Sequence, residues 1–240
     1  MVKNLLVSID KAARPFYLIG EELSKKVTIS RSNVIKLGGT SDMGNQEFKN
    51  NFRNLVVPEA LQELLIFQKG IPEGEFYSAH FWLDRIDYQE DSVLANWSDE
   101  EGFFLSLLEF ADSDDLGGTY AFWLVGRNKD LSQAPIVYMG GDGDAGVVAE
   151  NLQDFLRLLS IDVMPIAFED RICYFRDEDE YEKGLYRSEH IDTYKTWLKE
   201  VWQLQPVVDE DGASQITDQA EERYGEDFRE WLSSYSGCCF

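Results

Sequence analysis

Hydrophobic positions along the chain change period several times, and each change marks an element. From Val27 to Leu37 (VTISRSNVIKL) apolar and polar residues alternate up to Gly38-Gly39, which predicts a strand closed by a turn. The polar stretch from Gly38 to Asn51 reads as a loop and is the best internal linker. Pro58 opens a helix: Glu59 stands at the positive end of the dipole, Leu61, Leu64 and Leu65 share a face, and Gly70 is the stop. From Phe76 to Leu107 the chain is aromatic and punctuated by acids, a texture that points to strands without fixing their limits. Thr119 to Val125 (TYAFWLV) and Pro135 to Met139 (PIVYM) are β-branched or aromatic and almost wholly apolar, which predicts central strands covered on both faces. A helix is expected from Asn151, with Leu152, Phe155, Leu156 and Leu159 at i, i+3, i+4 and i+7. Two amphipathic helices follow, Ser188 to about Trp202 and about Ser214 to Tyr235. No internal repeat or low-complexity tract interrupts the pattern. The fold class is therefore α+β: a central mixed or mostly antiparallel sheet flanked by helices, with a helical C-terminal part.

Length and composition set the outer limits. With 240 residues, 44% hydrophobic and 13% aromatic, the chain can bury a substantial core. Twenty-two Lys and Arg against forty-five Asp and Glu give a formal net charge of −23, so a phosphate backbone or an anionic membrane surface is repelled. A basic protein is the natural partner, because opposite excess charge raises encounter rates. The competing explanation is that the acidity only keeps the protein in solution. Cys173, Cys238 and Cys239 make an odd count with two adjacent, which does not read as a secreted disulfide framework and points to a reducing cytoplasm. The apolar run Leu5 to Ile9 is too short for a signal peptide, and no stretch approaches the roughly 18 apolar residues of a membrane span. Gly237 stands where a C-terminal prenylation box needs cysteine, so Gly237-Cys238-Cys239-Phe240 reads as a tail.

Two glycine-aspartate loops hold the sharpest motifs. Gly141-Asp142-Gly143-Asp144-Ala145-Gly146 matches G-x-G-x-x-G, the dinucleotide fingerprint. Against that reading, Asp142 and Asp144 would set carboxylates beside a pyrophosphate, the helix starts only after Val147 and Val148, and Pro165 sits where the next parallel strand belongs. The alternative is a tight turn between two strands. Asp112/Asp114 and Asp142/Asp144 also occupy positions one and three of calcium-loop patterns. The rest of those patterns is missing: Leu116 and Trp123 replace ligands in the first, and Val147 and Gln153 break the second. His80 and His190 do not stand at zinc-ligand spacing to any cysteine, and neither a P-loop nor a G-x-S-x-G elbow occurs. No cofactor and no metal are expected. The six tryptophans, Trp82, Trp97, Trp123, Trp197, Trp202 and Trp231, read mainly as core, with Trp197 and Trp202 edging a helix face that a partner could use.

Phe110-Ala-Asp-Ser-Asp-Asp-Leu-Gly-Gly-Thr-Tyr-Ala-Phe-Trp123, then Pro135-Ile-Val-Tyr, then Val147-Val-Ala-Glu-Asn-Leu-Gln-Asp-Phe-Leu156 resemble the SUKH superfamily, which includes the fungal cell-wall-assembly regulator and many bacterial immunity proteins. Leu55-Val-Val-Pro-Glu-Ala-Leu-Gln-Glu-Leu-Leu65 through Gly70 is similar to that family's first helix, opened by Pro and closed by Gly. The resemblance covers roughly residues 48–160 of a single domain spanning 1–240, leaving an N-terminal extension, 1–47, and a helical C-terminal part, 161–240. It implies an α+β fold and binding of a protein partner, commonly a toxin that is thereby blocked, and it brings no shared catalytic residues. The leading expectation is a non-enzymatic immunity protein that occludes a basic toxin domain, with Asp112, Asp114, Asp115, Asp142 and Asp144 as partner-binding residues. A regulatory scaffold, or an enzyme using a dinucleotide or metal at the Gly-Asp loops, are the alternatives. Neither nucleic acid nor membrane is expected as partner, and the oligomeric state is not legible.

Overall fold

The computed structural model describes residues 52–79, 81–83, 92–113, 117–126, 130–168, 171–175 and 187–235. The strand expected at Val27–Leu37, the linker at Gly38–Asn51, His80, Asp114, Asp115, Cys238 and Cys239 lie outside them. Four strands form an antiparallel sheet in the order β1-β2-β3-β4: β1 Leu107–Asp112, β2 Thr119–Trp123, β3 Ile136–Met139 and β4 Ala145–Ala149. A separate two-stranded sheet pairs β5 Met164–Phe168 with β6 Arg171–Phe175. The helices among the described residues are α1 Glu59–Gln68, α2 Glu101–Ser106, α3 Leu152–Leu158, α4 Ile191–Trp202 and α5 Glu210–Ser233. The class is α+β, as the pattern predicts.

Side chains alternate across a strand, so β2 and β3 feed two different cores. Tyr120, Phe122, Ile136 and Tyr138 pack with Leu61 and Leu64 of α1, Phe155 of α3 and Tyr194 of α4. Ala121, Trp123, Val137 and Met139 pack with Phe103 of α2 and Phe228 and Leu232 of α5. Both faces of β2 and β3 are buried, which is why these strands read as unbroken apolar runs and not as alternating ones.

Capping sets the helix limits. Asn151 Oδ1 accepts the Asp154 amide at 3.0 Å and fixes the start of α3. All four positions predicted for its buried stripe, Leu152, Phe155, Leu156 and Leu159, are buried. Asp209 Oδ1 accepts the Gly212 amide at 2.9 Å, so α5 begins at Glu210, four residues before the expected Ser214. The extra turn carries Ala213 as its one buried apolar residue, too little for apolar periodicity to show, but Glu210 and Asp211 suit the positive end of the dipole.

Three expectations need correction. Within Phe76–Leu107, the described residues form a 3-10 turn at Val93–Asn96 and α2, and their one strand-like pairing outside β1 is the bridge of Trp82 to Asp112. The C-terminal part is not wholly helical, because it contains β5 and β6. No parallel strand runs through Pro165, as expected: it stands in antiparallel β5, where its carbonyl accepts the Tyr120 hydroxyl at 3.1 Å. Trp197 is not at an exposed edge: it is buried, stacked on Tyr194 with 5.6 Å between centroids and packed on Phe67 at 5.3 Å. Trp202 remains partly exposed.

Candidate functional site

The register of the sheet brings the two Gly-Asp loops together. Asp112 pairs with Thr119, Thr119 with Met139 and Met139 with Ala145, so these four positions form one row across the sheet. The β1–β2 connection and the β3–β4 turn therefore leave from the same end. Asp112 is exposed at the last position of β1, its amide donating to the Trp82 carbonyl at 3.1 Å.

The turn from Gly140 to Asp144 is a hairpin closed by the Gly140 amide donating to the Asp144 carbonyl at 2.8 Å. Gly143 has φ +102°, a conformation that side chains resist. A Cβ on Gly140 would fall 3.0 Å from the Asp144 carbonyl oxygen and 3.1 Å from the Tyr138 ring, so a side chain there has little room. Asp142 is exposed, and its Oδ1 receives the Asp144 amide at 3.4 Å in an Asx-type turn. Asp144 is half-buried. Trp97, which the motif reading did not include, anchors the base of the turn: its Nε1 donates to the Gly140 carbonyl at 3.0 Å. No local spacing links residue 97 to residue 140, so only the fold shows this contact.

The geometry bears directly on the fingerprint. A dinucleotide turn feeds the N-terminus of a helix, whose free amides meet the pyrophosphate. Here Ala145–Ala149 is a strand, and the glycine turn joins two antiparallel neighbours. Among the described residues, no group of three or more His, Cys, Asp or Glu side chains is arranged to hold a metal.

At the first loop, Gly118 is tightly enclosed. Ser113 donates its amide to the Gly118 carbonyl at 3.0 Å. Its hydroxyl is buried without a hydrogen-bond partner among the described residues. Thr119 Oγ1 donates to the Ala111 carbonyl at 3.0 Å and closes the base of the connection.

A second acidic feature adjoins this end of the sheet. A small cleft is shared by Ala145 and Gly146 of β4 with Asp218 and Glu221 of α5, so α5 lies beside the strand that leaves the Asp142–Asp144 turn. Along α5, Asp218, Glu222, Glu226 and Glu230 are all exposed at four-residue spacing, which aligns them on one helix face. Arg229 is engaged by Glu221, and Arg223 donates to Glu150 at 2.7 Å, so these cations answer other carboxylates. The four-residue acidic period is present in the sequence, but its placement on one exposed face depends on the limits of the helix.

No protein-family model, no curated protein and no solved structure matches this chain. No helix among the described residues is long and apolar enough to cross a membrane.

Proposed function

We propose that this chain is a non-enzymatic protein-binding module whose acidic surface docks a basic partner. The observation that carries the reading is the shared sheet end: Asp112 and the hairpin carboxylates Asp142 and Asp144 stand on connections held by the ladder and by Trp97. Loops displayed by a rigid scaffold are where binding function concentrates, because the scaffold removes the entropy of ordering them. The row on α5 and the net charge of −23 extend the same sign of field around them.

The resemblance to the SUKH superfamily supplies the kind of partner: a toxin domain of opposite charge, such as a nuclease, neutralised by occlusion. Asp114 and Asp115, in the same connection as Asp112, belong to the proposed surface by sequence position. Membership of that family is part of the proposal.

Purification of the tagged chain from its native lysate tests the reading. A stoichiometric partner of high isoelectric point, whose toxic activity falls in proportion to added chain, supports it. Recovery of no partner, or of one whose activity is unchanged by saturating chain, contradicts it.

A further inference from the structure

The opposite end of the sheet carries a different surface. The β2–β3 connection and the start of α3 leave from that end, and with α1 and α4 they frame a groove of about 570 Å³. Val56, Pro58, Leu152 and Trp202 give it an apolar wall, and the carboxylates Glu59 and Asp130 stand at its rim.

Three observations on the groove point the same way. Val56 is 83% exposed, a large apolar side chain in water beside a partly exposed tryptophan. Val56 also lies outside any helix or strand, and neither its amide nor its carbonyl has a hydrogen-bond partner among the described residues. The Trp202 indole N–H is covered and finds no acceptor among them. An apolar wall, an unpaired stretch of backbone and an orphaned donor ask for apolar side chains and backbone groups together, the two things an extended peptide brings. The carboxylates at the rim fix the sign of its charge. An Arg or Lys would lay its aliphatic stem along Val56 and Trp202 with its head toward Glu59 and toward Asp130, whose Oδ1 also accepts the Ser132 amide and hydroxyl, and an acidic segment would be turned away.

We propose that this groove receives an extended segment of a partner protein in which an Arg or Lys is flanked by apolar residues. It is a second docking surface, separate from the aspartates at the other end of the sheet, and it stands whether or not those aspartates bind anything.

The test is titration of the ¹⁵N-labelled full chain with two probes, acetyl-Val-Arg-Val-amide and acetyl-Val-Glu-Val-amide, followed by NMR. The arginine probe is expected to shift the Trp202 indole and Val56 amide resonances saturably, with the glutamate probe weaker by about tenfold or more. Glu59→Gln should weaken the arginine probe about two- to fivefold, the range of an exposed ion pair, and leave the rest of the spectrum in place. The proposal is overturned by the absence of a saturable shift with either probe or by equal response to both. It is also overturned if these resonances move with the concentration of the protein itself, which would give the groove to a second copy.

Discussion

Gly118 sits where a larger residue has no room. A Cβ there would lie 2.3 Å from Ser113 Oγ and 2.7 Å from the Tyr138 ring, both in buried residues. Gly118→Ala should therefore cost about 1–3 kcal/mol, read as a lower urea midpoint with an unchanged slope. Gln68 is the opposite case, a polar residue the core requires. Its Nε2 donates to the Leu83 carbonyl at 2.9 Å, while its Oε1 accepts the Leu83 amide at 2.8 Å and the Tyr77 hydroxyl at 3.0 Å. Gln68→Leu keeps the helix but orphans all three groups in the interior, a loss of about 3 kcal/mol or more by the same measurement. Tyr77 and Tyr194 make the fold sensitive to alkali. Burial pushes both phenols well above their ordinary range, and for Tyr77 the neighbouring Tyr194 adds to the shift. The fold favours the neutral phenol, so this contribution is complete below pH about 10 and is lost as pH rises through the raised folded values. Denaturation at rising pH should show a steeper alkaline loss in the wild type than in a Tyr77→Phe/Tyr194→Phe variant, and equal slopes would refute the assignment.

At the scale of the element, α5 combines a strong cap with self-repelling charge. Asp209→Ala removes the acceptor for the Gly212 amide and should lower stability by about 1 kcal/mol. The row Asp218, Glu222, Glu226, Glu230 works against the helix, since like charges four residues apart each cost about 0.2–0.5 kcal/mol. Glu222→Gln/Glu226→Gln should accordingly raise the melting temperature at low salt, with the gain shrinking as salt screens it. A surface that gives up stability for charge is what a docking face for a cation-rich partner requires. The elements differ in how far the chain announces them. The strands β2 and β3 were legible because burial on both faces leaves an unbroken apolar run, and α3 because its stripe and its Asn151 cap coincide. β1 was not, because Glu109 interrupts its apolar pattern, yet the residue is buried and accepts the Ser92 hydroxyl at 2.7 Å. The same strand begins at Leu107, directly against the end of α2, with no turn residue to mark the change. β6 (RICYF) has no alternation to mark it. For the candidate site, the aspartates could be picked out one by one, but their shared sheet end depends on strand register, and Trp97 on a contact 43 positions away.

Over the whole molecule the excess of forty-five acidic over twenty-two basic residues acts as one long-range field. If that field exists for binding, it acts on the approach of the partner before any contact forms, and the rim aspartates should change association more than dissociation. Asn keeps the turn chemistry of Asp while deleting the charge, so Asp142→Asn and Asp144→Asn separate lost steering from lost folding. The most direct measurement is the association rate of the chain with its co-purified partner by stopped flow across increasing salt. The predicted result is a rate near 10⁸ M⁻¹s⁻¹ at low salt, on the order expected of steered encounters, that falls steeply with salt and is reduced by both substitutions. A rate indifferent to salt and to both substitutions would contradict the account, leaving the acidity as a means of keeping the protein in solution.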